Sequence, residues 1–336
     1  MRHRATVFLL ALLTVSAVFA AAIKRPGPLV DTEWLARHLD EPSLVLLDVR
    51  ADTTSFTQKP GSASTSAAPG VATCGPKKSG KSPEIAGHIP KARLWDWKTV
   101  RAKRTIDGMK LDGMVPAKDA FEARMRDLGV NNDSLVVITA DGSDTPTLTF
   151  ATRAYWTLKY YGHDNVAVLD GGTAKWKNEG RPLKYEPAQP SSKGNFVARA
   201  ERRELLASGA EVEQAMKTKS KQIVDARTAD FYLGQSKKDY VYAKGHIPGA
   251  KNVSHTDLAD PQSRAFKSRD ELKKLLADAG LDFKKPAITY CDSGHLSSGQ
   301  WFVMHELLGN QNVKLFDGSM HEWTKKPERP VSTQRE

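Results

Sequence analysis

Short apolar runs alternate along most of the chain with segments whose apolar residues recur three or four positions apart. The runs are rich in leucine and β-branched residues, which favours strands, and the intervening spacing is that of amphipathic helices. The clearest helical face consists of Leu272, Leu275, Leu276 and Ala279. A capping box of Ser268 and Glu271 precedes this face, and Gly280 ends it. The alternation predicts an α/β fold with parallel sheets covered by helices on both faces.

Five pieces of the first half of the chain recur in the same order in the second half. VLLDVR returns as QIVDAR, AGHIPKA as KGHIPGA, AKDAFEARMRDLGV as SRDELKKLLADAGL, LVVITADG as AITYCDSG, and VAVLDGGTAKW as VKLFDGSMHEW. Such ordered self-similarity indicates a duplicated domain. We therefore predict two similar domains, at 28–185 and 196–333, joined by a proline- and serine-rich linker at 186–195.

The first copy carries an insertion, 53–83, that the second copy lacks. Most of its residues are Ser, Thr, Gly, Pro or Lys, a composition that buries too little apolar surface to fold. We expect the insertion to be disordered. Cys74, one of the two cysteines, lies within it and is expected to be exposed on a mobile loop.

The first 22 residues have the composition of a secretory signal. Arg2 and Arg4 precede an apolar run that ends in small residues near Ala20 and Ala22. The run is nearly long enough to span a bilayer, so an uncleaved anchor is the alternative. We expect cleavage, export to the periplasm and no stable membrane insertion afterwards.

The chain carries a formal net charge of +11. Its basic residues are interleaved with acidic ones, and aromatic residues do not accompany them in a stripe, which argues against nucleic acid as a partner. A solvated surface and the attraction of a small anion both fit this pattern. The sequence shows no cluster with the spacing of metal ligands, so neither a metal nor an organic cofactor is expected.

The other cysteine, Cys291, follows the predicted strand AITY and opens the loop CDSGHL, after which a helix is predicted from Ser297 or Ser298. A strand, a tight loop and a helix N-terminus collect backbone N–H groups around one point, and these stabilise a thiolate. A buried structural cysteine and half of a disulfide are the alternatives. The polar neighbours of Cys291 argue against a core position, and the placement suits a nucleophile.

With its duplicated DVR/DAR, GHIP and DGG/DGS elements and a single cysteine loop, the chain resembles the tandem-domain rhodaneses, the thiosulfate and 3-mercaptopyruvate sulfurtransferase family. The resemblance implies a ping-pong transfer of sulfane sulfur through a Cys291 persulfide. The donor would be a small sulfur-containing anion and the acceptor cyanide, a thiol or a protein. It also implies a substrate-binding set consisting of Arg227, Asp292, Ser293, Gly294, His295 and Leu296.

The same resemblance implies a silent first domain that forms one wall of the cleft over Cys291. Aligned through VVITADG and AITYCDS, the position of the cysteine is matched to Asp141, which cannot accept sulfur. Arg227 has a counterpart, Arg50, in this silent copy, so an ion pair is the alternative to its substrate role. The common family patterns have no histidine at the position of His295. We expect His295 to be exposed without a catalytic role, and the alternative is that it protonates a leaving group.

Neither donor signature of the family is intact. Phe231 stands where a second substrate arginine is expected, and Gly113 where mercaptopyruvate enzymes have a histidine, although Ser293 matches their loop serine. Thiosulfate enzymes tend to have basic residues where this loop has Asp292 and Ser293. Thiosulfate is the first choice of donor and 3-mercaptopyruvate the second.

Three alternatives to this scheme bear on the role of Cys291. A cysteine phosphatase would need an arginine at the position of Ser297, which excludes that class. A carrier or binding module that receives sulfur only from another protein stays open. Cys74 is also a candidate resolving thiol that would take sulfur from Cys291.

Overall fold

The computed structural model describes residues 23–59 and 85–335. The predicted signal and Cys74 lie outside these ranges, as does the predicted disordered insertion from residue 60 to residue 83. Residues 53–59 of that insertion are instead part of the fold, because the Phe56 ring is buried in the core and stacks on His88. The described part of the chain forms two α/β domains, as the repeat predicts. None of its helices is both long and apolar enough to cross a bilayer.

The first domain is built on a five-stranded parallel sheet with the order β1-β7-β6-β2-β3. Its strands are β1 (Leu29–Val30), β2 (Leu44–Arg50), β3 (Arg93–Asp96), β6 (Leu135–Ala140) and β7 (Val166–Leu169), and a separate antiparallel hairpin pairs β4 (Ala102–Ile106) with β5 (Met109–Met114). Its helices are α1 (Thr32–His38), α2 (Trp97–Val100), α3 (Lys118–Asp127), α4 (Thr145–Tyr160) and α5 (Gly172–Asn178).

The second domain repeats this plan with the parallel strand order β10-β9-β11-β12-β8. Its strands are β8 (Leu206–Ala207), β9 (Gln222–Asp225), β10 (Lys251–Asn252), β11 (Ala287–Tyr290) and β12 (Val313–Phe316). Its helices are α6 (Gly209–Thr218), α7 (Ala229–Tyr232), α8 (Arg269–Asp278), α9 (Ser297–Trp301), which continues as a π-helical turn (Phe302–Leu307), and α10 (Ser319–Trp323).

The predicted amphipathic helix of the second copy is α8. The capping box of Ser268 and Glu271 is present, and Gly280 follows the helix in the left-handed conformation, at a φ of 74°. Leu272 and Leu276 are buried on its inner face. The local sequence therefore encodes both the ends and the orientation of this helix.

The segment after the predicted linker packs on the first domain. The backbone of Phe196 donates to Val130, and that of Arg202 donates to Tyr160. The ring of Phe196 is buried edge-on against Phe121. The boundary at residue 196 stays a prediction, but these contacts tie the start of the second half to the first domain.

The sheet register corrects the match between the two copies at the cysteine. Asp48 pairs with Thr139, just as Asp225 pairs with Tyr290, so the residue after Thr139 is the counterpart of Cys291. That residue is Ala140, and the match to Asp141 was wrong by one position. Asp141 is the counterpart of Asp292, and in each copy the carbonyl of this aspartate accepts a bond from the last helix of the domain. An alanine methyl cannot carry sulfur either, so the first domain is still expected to be silent.

Candidate active site

Cys291 lies directly after β11, at the carboxyl end of the sheet. Its backbone N–H donates to the hydroxyl of Ser319 at 3.1 Å, and the N–H of Gly294 donates to the same oxygen at 3.0 Å. The Ser319 hydroxyl donates in turn to the carbonyl of Phe316 at 2.8 Å. One side chain at the start of α10 thus binds both ends of the segment from Cys291 to Gly294, and Gly294 adopts the left-handed conformation with a φ of 70°.

The thiol of Cys291 is free and almost wholly buried, with 1% of the residue exposed. The Ser297 hydroxyl donates to Sγ at 3.5 Å, and Ala226 and Leu296 form the apolar side of the pocket around the sulfur. Within the described ranges, the backbone N–H groups of four loop residues have no acceptor in the protein: Asp292, Ser293, His295 and Leu296. The loop therefore has donors available for an anionic sulfur.

Arg227 links the cysteine loop to the rest of the second domain through three partners. Its guanidinium binds the Asp225 carboxylate bidentately, donates to the carbonyl of Gly245 at 2.8 Å and lies 3.3 Å from Asp292 Oδ1. Burial raises the pKa of Asp292, and the charge of Arg227 opposes that rise. The carboxylate of Asp292 is buried and faces this arginine.

Arg50 makes two of these three contacts in the first domain, which has no cysteine loop. It binds Asp48 bidentately and donates to the carbonyl of Gly87 at 2.7 Å. Because the arrangement recurs in the copy without a cysteine loop, its main role is to join the DVR/DAR and GHIP elements. A substrate contact of Arg227 stays a prediction.

The first domain holds the cysteine loop through a buried ion pair. Arg153 on α4 donates to the Asp317 carboxylate at 2.5 Å and to the carbonyl of Gly294 at 3.0 Å. The other carboxylate oxygen of Asp317 accepts the Val115 N–H at 2.7 Å. Arg153 and Asp317 are both buried, so the first domain packs directly on the loop that follows Cys291. A wall over the thiol itself stays a prediction.

His295 is buried, and the expectation that it would be exposed was wrong. Its ring packs against both Trp97 and Phe150, with centroids 4.6 and 4.7 Å away, and its Nε2 is 2.9 Å from Thr149 Oγ1. Burial, reinforced by nearby arginines such as Arg101, lowers the pKa of His295 well below its usual value. The imidazole is accordingly neutral and serves in the contact between the domains.

Ser293 faces the first domain. Its hydroxyl accepts a bond from Arg101 Nη1 at 3.3 Å and lies 3.5 Å from the Tyr240 hydroxyl. Gly113, at the position of the expected histidine, packs on the same serine. Gly294 and Leu296 also lie in the loop, so the structure brings the whole predicted residue set together around Cys291.

Sequence reasoning missed three residues that shape the site: Arg101, Arg153 and Ser319. Arg153 had a signal, because it is a lone arginine in the largely apolar helical segment TLTFATRAYWTL. Ser319 stands in the DGS element, where the first copy has Gly172, and that difference between the repeats was a signal too. Arg101 had no signal, because only the placement of one domain on the other brings it to Ser293.

No group of three or more His, Cys, Asp or Glu side chains among the described residues is arranged to hold a metal ion. The site consists of a buried thiol, a loop of backbone donors, and basic side chains from both domains.

Comparison with known proteins identifies both domains. The family model described as rhodanese-like domain matches residues 31–179 and 208–326. A relative from Mycolicibacterium smegmatis named thiosulfate sulfurtransferase is 33% identical over 305 residues, which are 89% of this chain and 95% of that protein. The sulfur carrier protein TtuD of Thermus thermophilus is 31% identical over 307 residues, or 89% of this chain and 94% of that protein.

Solved structures agree with this assignment. The 3-mercaptopyruvate sulfurtransferase SseA of Escherichia coli is 28% identical with a TM-score of 0.68, covering 87% of this chain and 98% of its own. The Tum1 protein of Saccharomyces cerevisiae has a TM-score of 0.71 at 21% identity, covering 92% of this chain and 99% of its own. At that identity the second likeness concerns the fold alone.

Proposed function

The chain belongs to the rhodanese family and is a sulfurtransferase, and from this premise we propose that it moves sulfane sulfur from thiosulfate to cyanide or a thiol through a Cys291 persulfide. The observation that carries the proposal is the position of Cys291 at the carboxyl end of β11, inside a loop with four available N–H donors. A persulfide places a terminal anionic sulfur where such donors bind it.

The first half-reaction loads the enzyme. The Cys291 thiolate attacks the outer sulfur of thiosulfate, and an S–S bond forms to Sγ. The bond from the outer sulfur to the sulfonate sulfur breaks, and sulfite leaves with the electron pair. Backbone donors of Ser293, His295 and Leu296 are the groups that would stabilise the new terminal sulfur.

The second half-reaction discharges the enzyme. Cyanide or a thiolate attacks the terminal sulfur, the S–S bond breaks, and Sγ leaves as the thiolate with which the cycle began. No oxidant is consumed. The Ser297 hydroxyl, which donates to Sγ, would stabilise that leaving thiolate.

Thiosulfate is the preferred donor and 3-mercaptopyruvate the second choice. The Ser293 hydroxyl is present, but Gly113 provides no imidazole to complete the proton relay expected of a mercaptopyruvate enzyme. His295 cannot substitute, because it is buried among aromatic rings and held neutral. A donor whose leaving group needs no proton, such as thiosulfate, fits this site better.

Steady-state kinetics test the proposal. With thiosulfate and cyanide varied together, the double-reciprocal lines should be parallel, and Cys291→Ser should have no turnover. Intersecting lines would mean that both substrates bind before sulfur moves, and would contradict a covalent intermediate.

A second candidate is a carrier that is loaded by another protein. The 31% identity to the sulfur carrier protein TtuD over most of both chains favours it. Incubation with a persulfidated donor protein distinguishes the two functions. A carrier would take sulfur from that protein and from neither thiosulfate nor 3-mercaptopyruvate.

We also propose that the protein works outside the cytoplasm, in the periplasm. The support is the basic start, apolar run and small-residue end of residues 1–22. N-terminal sequencing of the protein recovered from a periplasmic extract should find a first residue after Ala20 or Ala22. An intact Met1, or recovery only from the cytoplasm, would contradict export.

A further inference from the structure

Arg101 is a first-domain arginine that reaches the cysteine loop of the second domain. It follows α2 and precedes β4, and its guanidinium carbon lies 4.2 Å from the centre of the Trp97 ring. Trp97 is buried and packs on Phe150 and His295. A guanidinium stacked on a fixed aromatic face keeps its charge and its donors in one place.

The contact of Arg101 with the loop lies two residues from the nucleophile. Nη1 of Arg101 donates to the Ser293 hydroxyl, and the Tyr240 hydroxyl approaches the same oxygen from the second domain. Arg101 is half-buried. A positive charge therefore stands beside Ser293, on the first-domain side of the loop.

Gly113 makes this approach possible. It has a φ of 82°, and a Cβ built on it would lie 3.0 Å from Arg101 Nη1 and 3.3 Å from the Ser293 Cβ. A larger side chain would push the arginine or the serine aside. The chain thus has a glycine and a guanidinium where the family resemblance led us to expect a histidine.

The other arginines at the loop hold carboxylates and carbonyls of the protein. Arg227 binds Asp225 and Gly245, and Arg153 binds Asp317 and Gly294. These bonds fix the loop. Arg101 also donates to the neutral hydroxyl of Ser293, an acceptor that an oxyanion of a ligand can join or replace.

We propose that Arg101 binds the anionic end of the sulfur donor over Ser293, so that the first domain supplies the charge that the loop of the second domain lacks. The inference rests on the proposed sulfur transfer. The sulfonate of thiosulfate would then lie at Arg101 and the Ser293 hydroxyl, two residues along the loop from Cys291. The guanidinium also stabilises the charge that builds up on sulfite as the S–S bond breaks.

The test compares three variants with the wild type. Arg101→Gln removes the charge, and Arg101→Lys keeps the charge without the planar fork. The control is Lys103→Gln, which removes the same charge two residues away, from a side chain that is 90% exposed. The readout is the rate of Cys291 loading at varied thiosulfate, followed by intact mass.

Arg101→Gln should load about 10- to 100-fold less efficiently at low thiosulfate, the effect of losing a charged hydrogen bond. Arg101→Lys should fall between it and the wild type, and Lys103→Gln should stay within about twofold of the wild type. Alkylation of Cys291 by iodoacetamide, which is neutral and needs no anion site, should not slow by more than about twofold in Arg101→Gln. That rate also reports an intact loop.

Loading of Arg101→Gln at the wild-type rate would overturn the inference. An equal loss with thiosulfate and with iodoacetamide would also overturn it, because the arginine would then act on the thiol and not on the donor. If the wild type itself does not load, the proposed function fails, and calorimetric titration with sulfite tests Arg101 by itself. About tenfold weaker sulfite binding by Arg101→Gln would support the site, and equal binding would refute it.

Discussion

Arg153 of the first domain and Asp317 of the second form a buried ion pair, 2.5 Å long, that also secures the carbonyl of Gly294 in the cysteine loop. The loop that contains Cys291 in the second domain is therefore kept in position by a charge from the first domain. This relationship gives the first domain, which is expected to be silent, a structural role at the cysteine loop.

Loss of this pair should destabilise the protein strongly. Arg153→Met leaves the Asp317 carboxylate buried with the Val115 N–H as its one hydrogen-bond partner among the described residues, and should lower the free energy of unfolding by about 3–5 kcal/mol. Urea denaturation measures the effect. Lys217→Met breaks an exposed pair with Glu213 and should change stability by less than about 0.5 kcal/mol. Equal effects in the two variants would contradict the importance of the buried pair.

Arg50 and Arg227, the arginines of the DVR and DAR elements, provide a matched test of whether Arg227 stabilises the fold or binds the substrate. Arg50→Lys and Arg227→Lys each lose a bidentate bond to an aspartate and should each lower the free energy of unfolding by about 2–4 kcal/mol. Turnover should fall only in Arg227→Lys, because only that arginine also faces Asp292 in the cysteine loop. A raised thiosulfate KM in Arg227→Lys without a loss of stability would instead indicate a substrate contact.

His295 should be neutral throughout the working range of pH. Burial, aided by Arg101, holds its pKa well below the usual value of 6.5. His295→Gln should therefore leave the shape of the turnover profile between pH 6 and 8 unchanged, whatever its effect on the rate. Loss of an ionisation near pH 6.5 in the variant would identify His295 as a proton donor after all.

The same shift of His295 affects stability in acid. The unfolded chain takes up a proton below about pH 6.5 and the folded protein does not, so stability falls as the pH drops below that value. Urea denaturation should give His295→Gln a decline that is shallower by up to about 1.4 kcal/mol per pH unit. Parallel declines would contradict the lowered pKa.

Glu322 on α10 should have the opposite effect on the pH dependence of stability, because it destabilises the folded protein as the pH rises. Burial raises its pKa to about 7, against the attraction of Arg329. The folded protein then holds a proton that the unfolded chain releases above about pH 4.5, so stability is lost as the pH rises from there through 7. Glu322→Gln should match the wild type near pH 4.5 and exceed its stability at pH 8 by at most about 3 kcal/mol. A stability difference that does not change with pH would refute the shift.

The sequence was sufficient for the duplicated α/β fold, the capped helix α8 and the placement of Cys291 after a strand. These features follow from the spacing of apolar residues within each segment. Because the domain is duplicated, the same spacing can be recognised in both copies. His295 was misjudged because its polar neighbours suggested exposure, whereas Trp97 and Phe150 of the other domain cover it. Arg101 and Arg153 reach the loop across the domain interface, and neither a motif nor a repeat specifies how two domains are placed on each other.

Intact mass of the purified protein after incubation with thiosulfate or 3-mercaptopyruvate, without a reductant, tests the central claim most directly. The wild type and Cys74→Ser should gain one sulfur atom and lose it when cyanide is added, and Cys291→Ser should gain none. A gain that persists in Cys291→Ser, or no gain by the wild type from either donor, would contradict a Cys291 persulfide loaded from a free donor.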